Sequence, residues 1–388
     1  MNIPAEFDEI RPYTPEELPQ VFEELIADPA FQMVVSHVYP DIPFDMIAAK
    51  MRKCKTNLDF QMAFGYEVAK KVAKTHCSSV TIDCSSIPDR SLSYTYVSNH
   101  RDIVLDAAFL SMLLIDNGMN TVEIAIGDNL LIYPWIKKLV RINKSFIVQR
   151  ALTMHQMLES SRRMSRYIHY AISEKHENVW IAQREGRAKD SNDRTQDSVL
   201  KMMAMGGSGS FIENLKQLHI IPVSISYEYD PCDYLKAQEF QLKRDNPEYK
   251  KTPQDDLVNM HTGLFGNKGR VHFQMAPYLN DYLDTLDQKR PRCELFAMVS
   301  NKIDNSIHAN YRFYPGNYVA YDWWLGEKRF AGTQYTEEDK KKFEEYIEEQ
   351  LAKVEIPNKD MDFLLDRILA MYANPLINYL KTLDNENE

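Results

Sequence analysis

Short strand-like runs alternate with longer helical patterns between residues 90 and about 280. The strand-like runs span 92–97, 122–126, 146–149, 179–182, 220–227 and 270–274, and the main helical patterns span 104–116, 151–175 and 196–218. Alternation of this kind predicts an α/β fold, with helices flanking a mixed or parallel sheet. The run over 220–227 is almost continuously apolar and β-branched, which is typical of a buried central strand.

Residues 1–88 show mostly helical patterns, with one short strand-like run over 80–84, and residues 336–388 show helical patterns. We expect a helical N-terminal region over residues 1–88, an α/β domain over 89–335, and C-terminal helices over 336–388 that pack on the domain. Thr336, followed by acidic residues, is typical of a helix N-cap. The aromatic pair Trp323 and Trp324 suits either a packed core or a membrane interface, and the packed core is the more common use.

Composition excludes several classes of protein. The net charge of −10 argues against binding nucleic acid through a basic surface. The five cysteines are odd in number and contain no CxxC pair, so they predict neither a zinc site nor a disulfide framework, and a reducing cytoplasm is the expected location. No apolar run is long enough to span a bilayer, so we expect any action on lipid to occur at the membrane surface.

The stretch from Val97 to Asp106 is the strongest candidate for a catalytic turn. It follows a strand-like run, precedes an apolar helical pattern, and contains His100, Asp102 and Asp106. A histidine beside a carboxylate can take a proton from a hydroxyl, because the carboxylate fixes the tautomer and stabilises the imidazolium. The alternative interpretation is a surface histidine, with Asp102 as a helix N-cap.

Three further motifs occur at the ends of strand-like runs. An apolar run ends at Arg150, another leads into Glu185, Gly186 and Arg187, and the run over 220–227 contains Pro222. In sequence order, the four motifs resemble those of the glycerolipid acyltransferase superfamily, which includes the glycerol-3-phosphate, lysophosphatidate and dihydroxyacetone-phosphate acyltransferases. The resemblance covers roughly residues 90–280. It implies a glycerol-3-phosphate acyltransferase-like fold with a mixed, largely parallel central sheet.

Two motifs depart from the family pattern. The family places four residues between its histidine and aspartate, whereas Asp106 lies one residue further from His100, and one residue turns a helix by about 100°. A bulged or 3₁₀ first turn would bring Asp106 back to His100, and Asp102 is the alternative partner. Arg187 also follows Gly186 directly, where the family usually has an intervening residue. Both departures bear on which substrate the protein binds more than on which reaction it catalyses.

The resemblance also implies a role for each motif. His100 and Asp106 are the expected catalytic pair. The expected acceptor-binding residues are Arg150, Glu185, Gly186 and Arg187. Pro222 is expected to shape the acyl-donor groove. The expected donor is acyl-CoA or acyl carrier protein, and the expected acceptor is glycerol 3-phosphate, a lysophospholipid or a related small molecule. No metal or nucleotide cofactor is implied, and we expect a cytoplasmic protein in peripheral contact with the inner face of the membrane.

Other interpretations of these residues remain open from the sequence. Arg150 could form a surface salt bridge, Glu185 and Arg187 could belong to an ordinary loop, and Pro222 could mark a sheet edge or a bulge. At the level of the whole chain, the two departures would also suit a non-catalytic lipid-binding or scaffolding paralogue. A serine hydrolase is disfavoured because the sequence lacks a Gly-x-Ser-x-Gly motif.

Overall fold

Within residues 3–150 and 154–385, which this computed structural model describes, seven strands form one sheet. The strands are β1 (Ser79–Asp83), β2 (Thr95–Ser98), β3 (Val122–Gly127), β4 (Ser145–Val148), β5 (Asn178–Ala182), β6 (Ile220–Tyr227) and β7 (Arg270–Met275). Their order across the sheet is β1-β7-β6-β2-β5-β3-β4.

Strand direction divides the sheet into two parts. The strands β6, β2, β5, β3 and β4 run parallel to one another, whereas β7 is antiparallel to β6 and parallel to β1. The predicted α/β class with a mixed, largely parallel sheet is therefore confirmed. The predicted run over 220–227 coincides with β6, which is buried along its whole length between β7 and β2.

Helices pack on both faces of the sheet. The helices are α1 (Leu18–Ile26), α2 (Pro29–Val38), α3 (Phe44–Lys53), α4 (Asn57–Phe60), α5 (Glu67–His76), α6 (Leu105–Asp116), α7 (Pro134–Ile142), α8 (Met154–Ser173), α9 (Asp197–Met203), α10 (Phe211–Lys216), α11 (Asp233–Asp245), α12 (Pro253–Phe265), α13 (Leu279–Leu283), α14 (Arg292–Ala309), α15 (Pro315–Leu325), α16 (Glu337–Ala352) and α17 (Met361–Asn385). A π-helix over Gln61–Tyr66 joins α4 to α5.

The helix predicted over 196–218 is wrong as a single element, because the chain forms α9 and α10 there with a glycine-rich loop between them. A Cβ atom on Gly206 would lie 2.6 Å from the backbone of Ser165 in α8, so this loop passes too close to α8 for a larger residue. A Ser210 capping box then begins α10. The helix predicted over 151–175 includes residues 151–153, which lie outside the described residues.

Alternate residues of the central strands face two separate cores. Tyr96 and Trp180 pack with Leu110 of α6 on one face, whereas Val97 and Ile220 pack on the other face in a cluster to which α8 and α14 contribute. This alternation follows from the two-residue period of a strand. The same alternation fixes the face of the sheet towards which side chains point at the end of each strand.

The N-terminal and C-terminal helices form two further clusters. Helices α1 to α3 pack with α7, and α15 to α17 pack with one another and with α11. In the C-terminal cluster Trp324 is partly buried, while Trp323 at the end of α15 is exposed. The expected division at residues 88 and 335 stays a prediction. Among the described residues, no helix has the length and apolar character needed to cross a membrane.

Asp233, at the start of α11, links the C-terminal helices to the sheet. Its buried carboxylate accepts hydrogen bonds from Tyr346 in α16 (2.7 Å) and from Tyr372 in α17 (2.8 Å). Burial, and then the neighbouring charge of Asp230, raise the pKa of Asp233 to about 7. Ionisation of this carboxyl group therefore opposes folding near neutral pH.

We expect Asp233→Asn to remove a pH-dependent component of the free energy of unfolding. The folded-state pKa of about 7 lies above the value of about 3.9 for an unfolded aspartate, so ionisation lowers stability progressively between these values. The stability of the variant relative to the wild type should rise from about pH 5 to about pH 7 and level off above.

Urea unfolding curves across this range measure the difference. Asp245→Asn is a suitable control, because Asp245 is exposed and a hydrogen bond from Arg244 lowers its pKa. Its effect on stability should be constant from about pH 5 upwards. A constant difference for Asp233→Asn as well would contradict the prediction.

Candidate active site

His100 lies two residues beyond the carboxyl end of β2 and forms a hydrogen-bonded pair with Asp106. Its Nδ1 atom lies 2.8 Å from Asp106 Oδ2; the imidazole is 14% exposed and the aspartate is fully buried. The imidazole packs edge-to-face on Trp180, with ring centroids 5.5 Å apart. Since Nδ1–H donates to the carboxylate, Nε2 is the proton-accepting nitrogen, and no described residue bonds to it.

The turn before α6 accommodates the extra residue between His100 and Asp106. Asp102 Oδ1 accepts the backbone N–H groups of Val104 (2.9 Å) and Leu105 (2.8 Å), and so it closes the turn that leads into α6. The additional residue lies in this turn, which leaves Asp106 in the first helical turn facing His100. The structure thus pairs Asp106 with His100, while Asp102 closes the turn before α6 and Val104, not Asp102, is the N-cap residue of the helix.

Four donors hold the Asp106 carboxylate. Besides His100, the backbone N–H groups of Arg101 (2.6 Å) and Asp102 (3.1 Å) donate to Oδ2, and the Tyr227 hydroxyl donates to Oδ1 (3.1 Å). Burial, and then the Asp106 charge, raise the pKa of Tyr227 well above its ordinary value, so the phenol stays protonated as a donor. Sequence reasoning missed Tyr227: it ends the run over 220–227, but nothing in that run indicates a contact with Asp106, which is distant in the sequence.

Asn99 connects the histidine turn to β6. Its Nδ2 donates to the carbonyl of Ile225 (2.9 Å), and its Oδ1 accepts the N–H of the same residue (2.8 Å). The regular pairing of β2 with β6 ends at Ser98 and Val223, so the side chain of Asn99 extends it after the strand has ended. This buried amide fixes where the backbone of His100 leaves the sheet.

The other predicted motifs lie at the same edge of the sheet, because β2, β3, β4 and β5 are parallel. Arg150 follows β4, and its Nε lies 3.6 Å from Oε1 of Glu185, which follows β5. The backbone N–H of Arg150 donates to Asp128, the residue after β3 (3.2 Å). The Arg150 and Glu185 side chains are 32% and 66% exposed, so a ligand can reach both groups.

Gly186 and Arg187 are positioned differently from Glu185. Gly186 has φ +71°, a conformation that glycine adopts without strain, and space for a Cβ is open around it. The Nη2 of Arg187 donates to Asn259 of α12 (3.1 Å), while its Nη1 is buried with no partner among the described residues. Arg187 therefore points inward towards α12, where its Nη1 amino group is left without a described partner.

Pro222 lies in an interior strand, which excludes the interpretation that it marks a sheet edge. It pairs with Val97 of β2, and its carbonyl accepts the N–H of Ala276, just beyond β7 (2.9 Å). Its role in an acyl-donor groove stays a prediction. Among the described residues, no group of three or more His, Cys, Asp or Glu side chains is arranged to hold a metal ion.

A comparison with known protein families gives a match over the same part of the chain. The acyltransferase family model matches residues 86–226, the segment that contains all seven predicted site residues. The match covers less than half of the chain, and it shows that this segment is similar to acyltransferase domains. The resemblance to the glycerolipid acyltransferase superfamily is confirmed for this part of the chain.

Solved structures similar to this chain include one acyltransferase, and the comparison with curated proteins found no match. The structure is the crystal structure of the 1-acyl-sn-glycerophosphate (LPA) acyltransferase PlsC from Thermotoga maritima. The two chains are 11% identical, the match covers 75% of this chain and 95% of that chain, and the TM-score is 0.39.

We expect Asn99→Ala to lower the free energy of unfolding by about 2–4 kcal/mol, because two buried backbone groups of Ile225 lose their partner. Chemical denaturation measures the change. Asn214→Ala is a matched control for the loss of two such bonds. Asn214 makes a similar pair of bonds to the backbone groups of Ala204 and Gly209, away from the histidine turn. A loss for Asn99→Ala of less than about 0.5 kcal/mol, the usual range of surface substitutions, would contradict this account.

Proposed function

We propose that this protein transfers a fatty acyl chain from an acyl thioester to a hydroxyl group of a small acceptor, in phospholipid or related lipid biosynthesis. The donor would be acyl-CoA or acyl carrier protein, and the acceptor glycerol 3-phosphate, a lysophospholipid or a related molecule. The observation that carries the proposal is the His100–Asp106 pair, in which one imidazole nitrogen is fixed by a buried carboxylate and the other has no described partner.

In the proposed mechanism His100 acts first as a base and then as an acid. Nε2 takes the proton of the acceptor hydroxyl while the oxygen attacks the thioester carbonyl carbon. The tetrahedral intermediate collapses with cleavage of the C–S bond, and the imidazolium returns its proton to the leaving sulfur. The products are an ester and a free thiol. Asp106 stabilises the imidazolium between these steps, and no covalent enzyme intermediate is needed.

The acceptor-binding roles extend the same proposal. Arg150 has a planar, partly exposed guanidinium group suited to a phosphate, and Glu185 beside it can accept a hydrogen bond from an acceptor hydroxyl. Gly186 provides the turn between Glu185 and Arg187, and the free Nη1 of Arg187 provides a further donor. Pro222 would shape the acyl-donor groove.

We expect His100→Ala to reduce acyl transfer by about 10²–10⁴-fold while the protein stays folded, because the variant loses its general base. Product formation from an acyl thioester and a panel of acceptors, followed by mass spectrometry, measures the change. His176→Asn at the opposite edge of the sheet is a matched control: His176 is exposed with φ +55°, which asparagine also tolerates. Unchanged turnover in His100→Ala would remove the catalytic assignment.

An exposed apolar surface on the N-terminal helices supports peripheral membrane contact. Met33 in α2 and Met46 in α3 are 74% and 63% exposed, and α2 contains no Lys, Arg, Asp or Glu. Beneath this surface, Phe31 packs against Trp135 at the start of α7. Helix α7 begins soon after the carboxyl end of β3, so these helices adjoin the edge that carries His100. We propose that this surface rests on the cytoplasmic face of a membrane.

We expect the double variant Met33→Glu/Met46→Glu to bind vesicles at least about tenfold more weakly, because burial of each methionine contributes roughly 1.5–3 kcal/mol. Co-sedimentation with phosphatidylglycerol and phosphatidylethanolamine vesicles measures the binding. Leu92→Glu is the control, since Leu92 is exposed just before the amino end of β2. Equal losses in both variants would indicate a general charge effect and contradict the assigned surface.

A further inference from the structure

A buried ion pair joins the histidine turn to the loop that carries Glu185, Gly186 and Arg187. The guanidinium of Arg101 donates from Nη1 to Asp193 Oδ1 (3.0 Å) and from Nη2 to Asp193 Oδ2 (2.6 Å). Both side chains are almost fully buried. The two residues adjoin separate motifs, since Arg101 follows His100 directly and Asp193 lies six residues beyond Arg187.

The loop that contains Asp193 is anchored on its other side by α14 and by Tyr311, which follows that helix. Tyr311 donates its hydroxyl to the Asp193 carboxylate, and His308 of α14 donates to the Asp193 carbonyl (3.0 Å). Two residues later, the N–H and hydroxyl of Thr195 donate to Asp304 of α14 (2.7 and 2.6 Å). Asp193 is therefore a fixed point against which Arg101 is held.

The backbone of Arg101 connects this fixed point to the catalytic pair. Its N–H donates to the same Asp106 oxygen that accepts His100 Nδ1–H, at 2.6 Å. Its carbonyl accepts from the buried Nζ of Lys236 in α11 (3.3 Å), which also pairs with Asp230. Any shift of the Arg101 backbone therefore changes the hydrogen bonding of Asp106 directly.

We infer that Arg101 and Asp193 are positioning residues, and that their ion pair sets the His100–Asp106 geometry relative to the Glu185–Arg187 loop. The inference rests on the proposed function for its meaning in catalysis, although the geometry can be tested without turnover. The competing explanation is an ion pair that only stabilises the fold. Buried pairs give uncertain net stability, so a stability loss alone would not separate the two explanations.

Two variants avoid leaving a buried charge unpaired. Arg101→Lys keeps the positive charge but loses the two-pronged donor geometry. The double variant Arg101→Gln/Asp193→Asn removes both charges. The matched control is Lys144→Gln/Glu177→Gln, because Lys144 and Glu177 form a largely buried pair (2.7 Å) between the residues that precede β4 and β5, at the opposite edge of the sheet.

The direct readout is the hydrogen-bonded Nδ1–H resonance of His100, observed by NMR in histidine-labelled protein and assigned by its absence in His100→Ala. We expect this resonance to weaken or shift in both Arg101 variants and to be unchanged in the control. In the folded fraction, kcat for acyl transfer should fall by about tenfold or more in the double variant, because small displacements of reacting groups are costly. Arg101→Lys should give an intermediate loss.

The outcomes separate this inference from the proposed function. An unchanged resonance and a kcat equal to that of the control would overturn the positioning role. If the wild type transfers no acyl group, the proposed function fails, while an altered resonance in the variants would still support the role of the ion pair in holding His100. Should the double variant not fold, the resonance and kcat of Arg101→Lys decide the question, since it keeps a paired charge.

Discussion

The Asp106 carboxylate is the group on which the active-site geometry depends. A fully buried carboxylate is stable only when hydrogen bonds replace its hydration, and here two backbone N–H groups, a tyrosine hydroxyl and the imidazole of His100 do so. Three of these donors belong to the turn that follows β2, and the fourth, Tyr227, comes from the end of β6. The same bonds that compensate for burial of the charge therefore fix the orientation of the histidine, so the proposed catalysis and the fold depend on the same contacts.

The parallel arrangement of β2, β5, β3 and β4 explains why distant motifs can act together. Parallel strands present their carboxyl ends at one edge, so the residues after each strand meet although up to about 90 positions separate them in the chain. The sheet alone fixes only where each loop begins. Cross-loop contacts set the rest of the geometry: the Asn99 amide ties the turn to β6, and Arg101 ties it to Asp193. Glu185 and Arg150 complete the same edge.

The two departures from the family pattern have different outcomes in the structure. The extra residue before Asp106 is accommodated in the turn that Asp102 closes and leaves the expected pair intact. Arg187 follows Gly186 without the intervening residue that the family usually has. Its side chain turns inward to Asn259, while Arg150 and Glu185 remain accessible. A local turn can absorb an inserted residue because its backbone is not yet part of a helix, whereas a deletion in a short loop changes which way the next side chain faces.

The sequence by itself determined the fold class and the edge of the sheet at which the site lies. These follow from local properties: alternation of apolar residues sets strands and helices, and strand ends place the motifs. The split between α9 and α10, the choice of Asp106 over Asp102, and the contributions of Tyr227 and Asp193 were decided only by the tertiary structure. Each depends on contacts between segments far apart in the chain, such as the close passage of Gly206 over α8, and no local pattern encodes such contacts.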